Sequence, residues 1–94
     1  MNPVQREILL IDGDERARTL IEQTLAEQGF TVTAVGDGST ALRRIEAKPF
    51  ALVVAEIRLP GPLDGMTTIR QARARATRAQ MPVHLRVRAR TLVQ

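Results

Sequence analysis

Residues 8–14 read Ile-Leu-Leu-Ile-Asp-Gly-Asp, a short apolar run that stops at two carboxylates. Four consecutive apolar residues are typical of a strand buried on both faces, as in a parallel sheet. From about Glu15 to Gln28 apolar residues recur at helical spacing, and Gly29 is a suitable helix stop. The predicted inward stripe of this helix is Ala17, Leu20, Ile21, Thr24 and Leu25. The chain is therefore predicted to open with a buried strand and a covering helix.

The alternation of strand and helix continues along the chain. Further strands are predicted over residues 30–35, 51–55 and 83–88, and a further helix over about 66–78. Between them lies a helix with Ser39 as its expected N-cap, and Pro49 closes it. This order implies right-handed crossovers and an α/β fold with a doubly wound parallel sheet.

Composition limits the class of protein. A chain of 94 residues has room for one small domain, and the lack of cysteine excludes disulfide scaffolds and thiolate metal sites. No apolar run approaches the length of a membrane span, so we expect a cytoplasmic protein without membrane association. Residues 1–65 carry a net charge of −3, whereas residues 66–94 carry seven arginines and no acid. The absence of interleaved aromatics favours a solvated surface over nucleic-acid binding, the weaker alternative.

Carboxylates follow two of the predicted strands. Asp12 and Asp14 come after the first strand, and Glu56 comes after the third. Ligands of open α/β sheets bind beyond the carboxyl ends of the strands, where clustered carboxylates suit Mg²⁺. The same spacing allows Asp12 and Asp14 to cap the following helix while Glu56 is a solvated loop acid. Both interpretations remain open on spacing alone.

Four segments, in this order and spacing, resemble the receiver domain of bacterial two-component response regulators. They are residues 8–15, 29–32, 38–42 and 51–65. The resemblance covers about residues 7–75 of a single domain 1–94, and residues 76–94 form a divergent, arginine-rich end. It implies the flavodoxin-like receiver fold, here with four strands and with the fifth strand and last helix missing.

The resemblance implies a module that accepts a phosphoryl group from a histidine kinase onto an aspartate, assisted by Mg²⁺ held by acidic residues. The acceptor position falls on Glu56, and the second acid of the family's adjacent pair falls on Gly13. The predicted acidic pocket, and the set of Mg²⁺ ligands if the ion is bound, is Asp12, Asp14 and Glu56. The family's hydroxyl residue falls on Val87, and no lysine follows Lys48.

These departures predict a non-enzymatic signalling module that is impaired in phosphorylation and acts by protein–protein interaction with a histidine kinase or another signalling protein. Glutamate places its carboxylate about 1.5 Å further out than aspartate does, and in-line phosphoryl transfer depends on positioning. The alternative is phosphotransfer through Asp14 or Glu56.

The last predicted strand alternates Val83, Leu85 and Val87 with polar residues, which is typical of a sheet edge with one wet face. His84 belongs to that wet face and is not expected to bind metal. One explanation is a short receiver whose edge strand pairs with a second copy, giving a homo-oligomer. The other is a shifted reading frame or truncated gene, whose tail was never selected to pack.

Overall fold

The computed structural model describes residues 6–78 and 84–88. Within these ranges four strands alternate with three helices, which confirms the predicted element order. The strands are β1 (Glu7–Ile11), β2 (Thr31–Val35), β3 (Leu52–Glu56) and β4 (His84–Arg88). The helices are α1 (Glu15–Glu27), α2 (Gly38–Ala47) and α3 (Gly65–Arg78). Val83 and residues 89–94 lie outside the described residues, as do the predictions made for them.

The strands form one parallel sheet in the order β2-β1-β3-β4. Ile8 of β1 pairs with Val32 on one side and with Leu52 on the other, so β1 lies inside the sheet. Continuous apolarity in β1 is explained by this position, because both of its faces are covered. The doubly wound parallel fold is therefore confirmed, and β4 ends the sheet within the part of the chain that the structure describes.

Helices α2 and α3 cover one face of the sheet. Right-handed crossovers place them on the side opposite α1, because the chain reverses its winding direction after β2. The core under them contains Leu9, Ile11, Val35, Ala41, Leu42, Ile45, Phe50, Val53, Ala55, Ile69 and Ala72. These side chains pack together on one face of the sheet, and the site residues Asp12 and Glu56 lie at the carboxyl ends of β1 and β3.

Helix α1 covers the other face only in part, which corrects the predicted inward stripe. None of its side chains is buried, and Leu20 is 64% exposed. Ala17, Ile21 and Leu25 are half-buried, so the true stripe is narrower than the spacing suggests. Helix α1 packs mainly against β2 and, less closely, against β1.

Each helix of the described chain is capped by an aspartate that precedes it. Asp14 caps α1 and Asp37 caps α2, and the side chain of Asp64 accepts a hydrogen bond from the third residue beyond it in α3. The expectation of Ser39 as the cap of α2 was wrong, because the helix begins two residues earlier than that cap implies. No helix within residues 6–78 is long and apolar enough to cross a membrane.

Candidate functional site

Two carboxylates meet at the carboxyl edge of the sheet. Ile11 of β1 pairs with Ala55 of β3, so Asp12 and Glu56 follow directly from one register pair. Asp12 is 1% exposed and Glu56 is 6% exposed, although both are acidic. The structure thus brings together two of the three predicted pocket residues.

Hydrogen bonds within the chain hold Asp12. Its carboxylate Oδ1 accepts the amide of Asp14 at 2.9 Å, and its own amide donates to the carbonyl of Val35 at 3.0 Å. The guanidinium Nη1 of Arg18 donates to the carbonyl oxygen of Asp12 at 2.8 Å. The residue that ends β1 is therefore tied to both β2 and α1.

Asp14 caps α1. Its Oδ1 accepts the amides of Arg16 at 3.0 Å and Ala17 at 3.4 Å, and the residue is exposed. Oδ1 of Asp14 is therefore engaged in capping α1. Among the described residues, no three acidic or histidine side chains lie close enough together to hold a metal ion.

Gly13 lies against the loop that joins β3 to α3. A Cβ atom at this position would be 2.6 Å from Cδ and 3.3 Å from Cγ of Pro60. Contacts below 3.0 Å require a shift of one partner, and a proline ring cannot move without its backbone. Glycine is thus required here by the present loop conformation.

The loop after Glu56 closes back on its own strand through Gly65. The amide of Gly65 donates to the carbonyl of Ile57 at 2.7 Å. A Cβ atom on Gly65 would collide with the backbone oxygen of Glu56. The sequence did not predict this contact between α3 and β3, and the Asp-Gly pair at residues 64–65 was the only signal for it.

A second close approach joins α2 to α3. Thr68 is fully buried, and its hydroxyl donates to the carbonyl of Asp64 at 2.7 Å. A Cβ atom on Gly38 would collide with that hydroxyl and would lie 2.9 Å from Cβ of Leu63. On the other side of the site, Arg88 of β4 is the register partner of Glu56.

Two helix caps carry shifted pKa values. The backbone amide of Thr40 donates to Asp37 and holds the pKa of that carboxyl below its ordinary value of 3.8. The amide of Thr67 does the same for the pKa of Asp64. Both groups bind their proton less readily in the folded chain than in the unfolded chain.

We therefore expect the caps to lose their contribution to stability in acid. A lowered folded pKa stabilises the fold above pH 3.8, and the contribution disappears as the pH falls through the folded pKa. Asp37→Asn keeps the capping oxygen but does not titrate, so it is the matched control. Urea unfolding as a function of pH should show the wild-type advantage over this variant shrinking below pH 3.8. A pH-independent difference would contradict the expectation.

Comparison with known proteins defines the class. The family model for the response regulator receiver domain matches residues 8–90. The chain therefore belongs to the response regulator receiver domain family, a class of two-component signalling modules, and the predicted family is confirmed.

Curated relatives match over most of this chain but a minor part of their own length. Protein PetR of Rhodobacter capsulatus is 37% identical over 68 residues, which are 72% of this chain and 28% of the relative. The alkaline phosphatase synthesis transcriptional regulatory protein PhoP of Bacillus subtilis is 33% identical over 70 residues, 74% of this chain and 29% of the relative. The chain thus spans less than a third of each of these relatives.

Solved structures share the fold. The response regulator TrrA of Thermotoga maritima, in complex with Mg²⁺ and BeF, superposes with a TM-score of 0.80 at 21% identity, over 89% of this chain and 69% of that one. The receiver domain of the sensor histidine kinase PA1611 of Pseudomonas aeruginosa has a TM-score of 0.74 at 34% identity, over 85% of this chain and 65% of that one. That protein has a magnesium ion coordinated in its active-site cleft.

The residues of this chain do not fit such an ion. Hard divalent cations need several oxygen ligands, and Mg²⁺ demands near-ideal geometry from them. Here Gly13 supplies no side-chain oxygen, Asp14 caps a helix, and the described residues contain no cluster of three acids.

Proposed function

We propose that this receiver domain is impaired in phosphorylation and acts in two-component signalling through protein–protein contacts. The proposal rests on which residues occupy the acidic site and on how they are packed. Glu56, at the predicted acceptor position, is buried, and a Cβ atom on Gly13 would lie 2.6 Å from Cδ of Pro60. The predicted acceptor position thus carries a glutamate, and Gly13 stands where the family has the second acid of its adjacent pair.

Phosphoryl transfer depends on position and on neutralised charge. The carboxylate of a glutamate lies about one bond length beyond that of an aspartate on the same backbone. Negative charge on the transferred group needs fixed positive charge or a metal nearby, which contributes much of the rate. Gly13 offers no side-chain oxygen to a metal ion, so we expect transfer to Glu56 to be slow.

The test is incubation with a small phosphodonor and Mg²⁺, followed promptly by intact-mass measurement. We expect no phosphoryl adduct on the wild-type chain, while a receiver with aspartate as its acceptor, run in parallel, gains one. An adduct that disappears in Glu56→Gln or in Asp14→Asn would show that the alternative, phosphotransfer through that acid, is correct.

We propose that the contact surface is the incompletely covered face of the sheet, and that a second copy of the chain is one partner. Leu52 and Val54 of β3 are half-buried, and Leu20 on α1 is the most exposed of the large apolar side chains described. A strand at the end of a sheet also presents unpaired backbone groups that another chain can bind. A histidine kinase or another signalling protein is the other class of partner proposed.

Light scattering during size-exclusion chromatography tests the homodimer. We expect a dimer at micromolar concentration that Leu20→Glu shifts toward monomer, because the substitution places charge on the proposed surface. Met66→Glu is the matched control, since Met66 is 43% exposed on the opposite helical layer. A monomer at every concentration would exclude self-association.

A further inference from the structure

We infer that the acidic site of this chain is closed to divalent cations, and that Arg18 and the backbone of the β1–α1 loop hold it in place of an ion. The inference rests on the family assignment and concerns the same site as the proposed function. It goes further, because it predicts that folding and site geometry are independent of Mg²⁺.

Steric closure is the first support. Pro60 belongs to the sequence Pro-Gly-Pro at residues 60–62, so the loop over Gly13 has little freedom. With Cδ of Pro60 at 2.6 Å from the Cβ position of Gly13, an aspartate cannot enter unless this loop moves. Gly13 thus stands where the family has its second acid, and the Pro60 loop lies against this position.

Internal bonding is the second support. Arg18 reaches from α1 to the carbonyl oxygen of Asp12, at 2.8 Å, and its Nη1 is 3.0 Å from the place where a Cβ of Gly36 would lie. The guanidinium therefore lies between the residues that follow β1 and β2. One carboxylate oxygen of Asp12 already accepts the Asp14 amide. A buried carboxylate is tolerated when hydrogen bonds and nearby positive charge compensate its lost hydration.

A divalent cation at this site would have to compete with these hydrogen bonds of Asp12. Glu56 contributes a second buried carboxylate at this edge, and Mg²⁺ gives up its water shell reluctantly. The two loops, rather than an ion, therefore fix the distance between the ends of β1 and β3.

The experiment is a Mg²⁺ titration of the full chain, followed by amide NMR and by thermal unfolding. For the wild type we expect no saturable shift at residues 12–14 and 56 at millimolar Mg²⁺, and no change in Tm. Gly13→Asp/Pro60→Ala restores the acid and removes the ring, so it should bind Mg²⁺ at least about tenfold more tightly. Gly13→Ala/Pro60→Ala is the control without the carboxylate and should not bind.

Arg18→Met tests the internal support without altering any acid. It should lower Tm by the same amount with and without Mg²⁺. Saturable wild-type shifts at residues 12–14 and 56 would overturn the inference, and so would rescue of Arg18→Met by Mg²⁺. A folded Gly13→Asp/Pro60→Ala chain that ignores Mg²⁺ would overturn the steric account. Mg²⁺ binding without a phosphoryl adduct would refute this inference and leave the proposed function standing.

Discussion

Gly65→Ala is expected to destabilise the domain by about 3 kcal/mol or more, since overpacking against backbone leaves no side chain free to yield. The added methyl group would collide with the carbonyl oxygen of Glu56, and the hydrogen bond from the Gly65 amide to Ile57 holds the two segments at that distance. Small domains are stable by only about 5–15 kcal/mol, so much of the fold's stability is lost. Urea unfolding followed by circular dichroism measures the change.

Gly61→Ala separates this collision from the conformational preference of glycine. Gly61 has a φ of 86°, which disfavours alanine, but nothing lies within 4 Å of its Cβ position. We expect a cost of about 1 kcal/mol from the backbone conformation alone. If Gly65→Ala cost no more than Gly61→Ala, the close approach of α3 to β3 would be wrong.

Phe50→Ala should cost about 3–5 kcal/mol, the range found when a large buried aromatic side chain is removed. Phe50 is 2% exposed and belongs to the core shared by the sheet, α2 and α3. For a domain of this size, each 1 kcal/mol lowers Tm by about 4–8 °C. Thermal unfolding should therefore show a loss of structure well below the wild-type transition.

Lys48→Ala is the matched control for Phe50→Ala, because it removes a charged contact with the ring and leaves the ring in place. The Lys48 ammonium lies 5.3 Å from the centroid of Phe50 and 3.1 Å from Oε2 of Glu7, with its side chain 45% exposed. Cation–π contacts and ion pairs at exposed sites are each worth about 1 kcal/mol or less. An effect of Lys48→Ala as large as that of Phe50→Ala would mean that the contacts of the Lys48 ammonium, and not burial of the aromatic ring, stabilise this part of the fold.

The fold could be predicted from local sequence pattern, because hydrophobic periodicity and turn residues such as glycine and proline are properties of neighbouring residues. The apolar runs before Asp12 and before Glu56 identify strands, and their alternation with helices predicts a parallel sheet. In the structure β1 is buried on both faces, whereas Leu52 and Val54 of β3 are half-buried. Parallel strands end at one edge, so the approach of Asp12 and Glu56 follows from topology. The order and type of the elements could therefore be predicted from local pattern, and the family from its resemblance to receiver-domain motifs.

Residue spacing alone did not settle three features. Leu20 has the spacing of a core residue, but its side chain is 64% exposed on α1. Asp14 had two open roles, and its Oδ1 accepts hydrogen bonds from amides in the first turn of α1, as a helix cap does. Ser39 was the expected cap of α2, but the helix begins earlier and Asp37 caps it.

The sequence by itself determined which elements form, their order, and the loss of an acid at Gly13, since each depends on residue type and short-range spacing. Only the tertiary structure decided that Pro60 lies over Gly13, that Arg18 reaches the carbonyl of Asp12, and that Gly65 lies against Glu56. The contact of Pro60 with Gly13 joins segments that are far apart in the chain, whereas the other two span six and nine residues. Their distances depend on how whole elements pack, which no local pattern specifies.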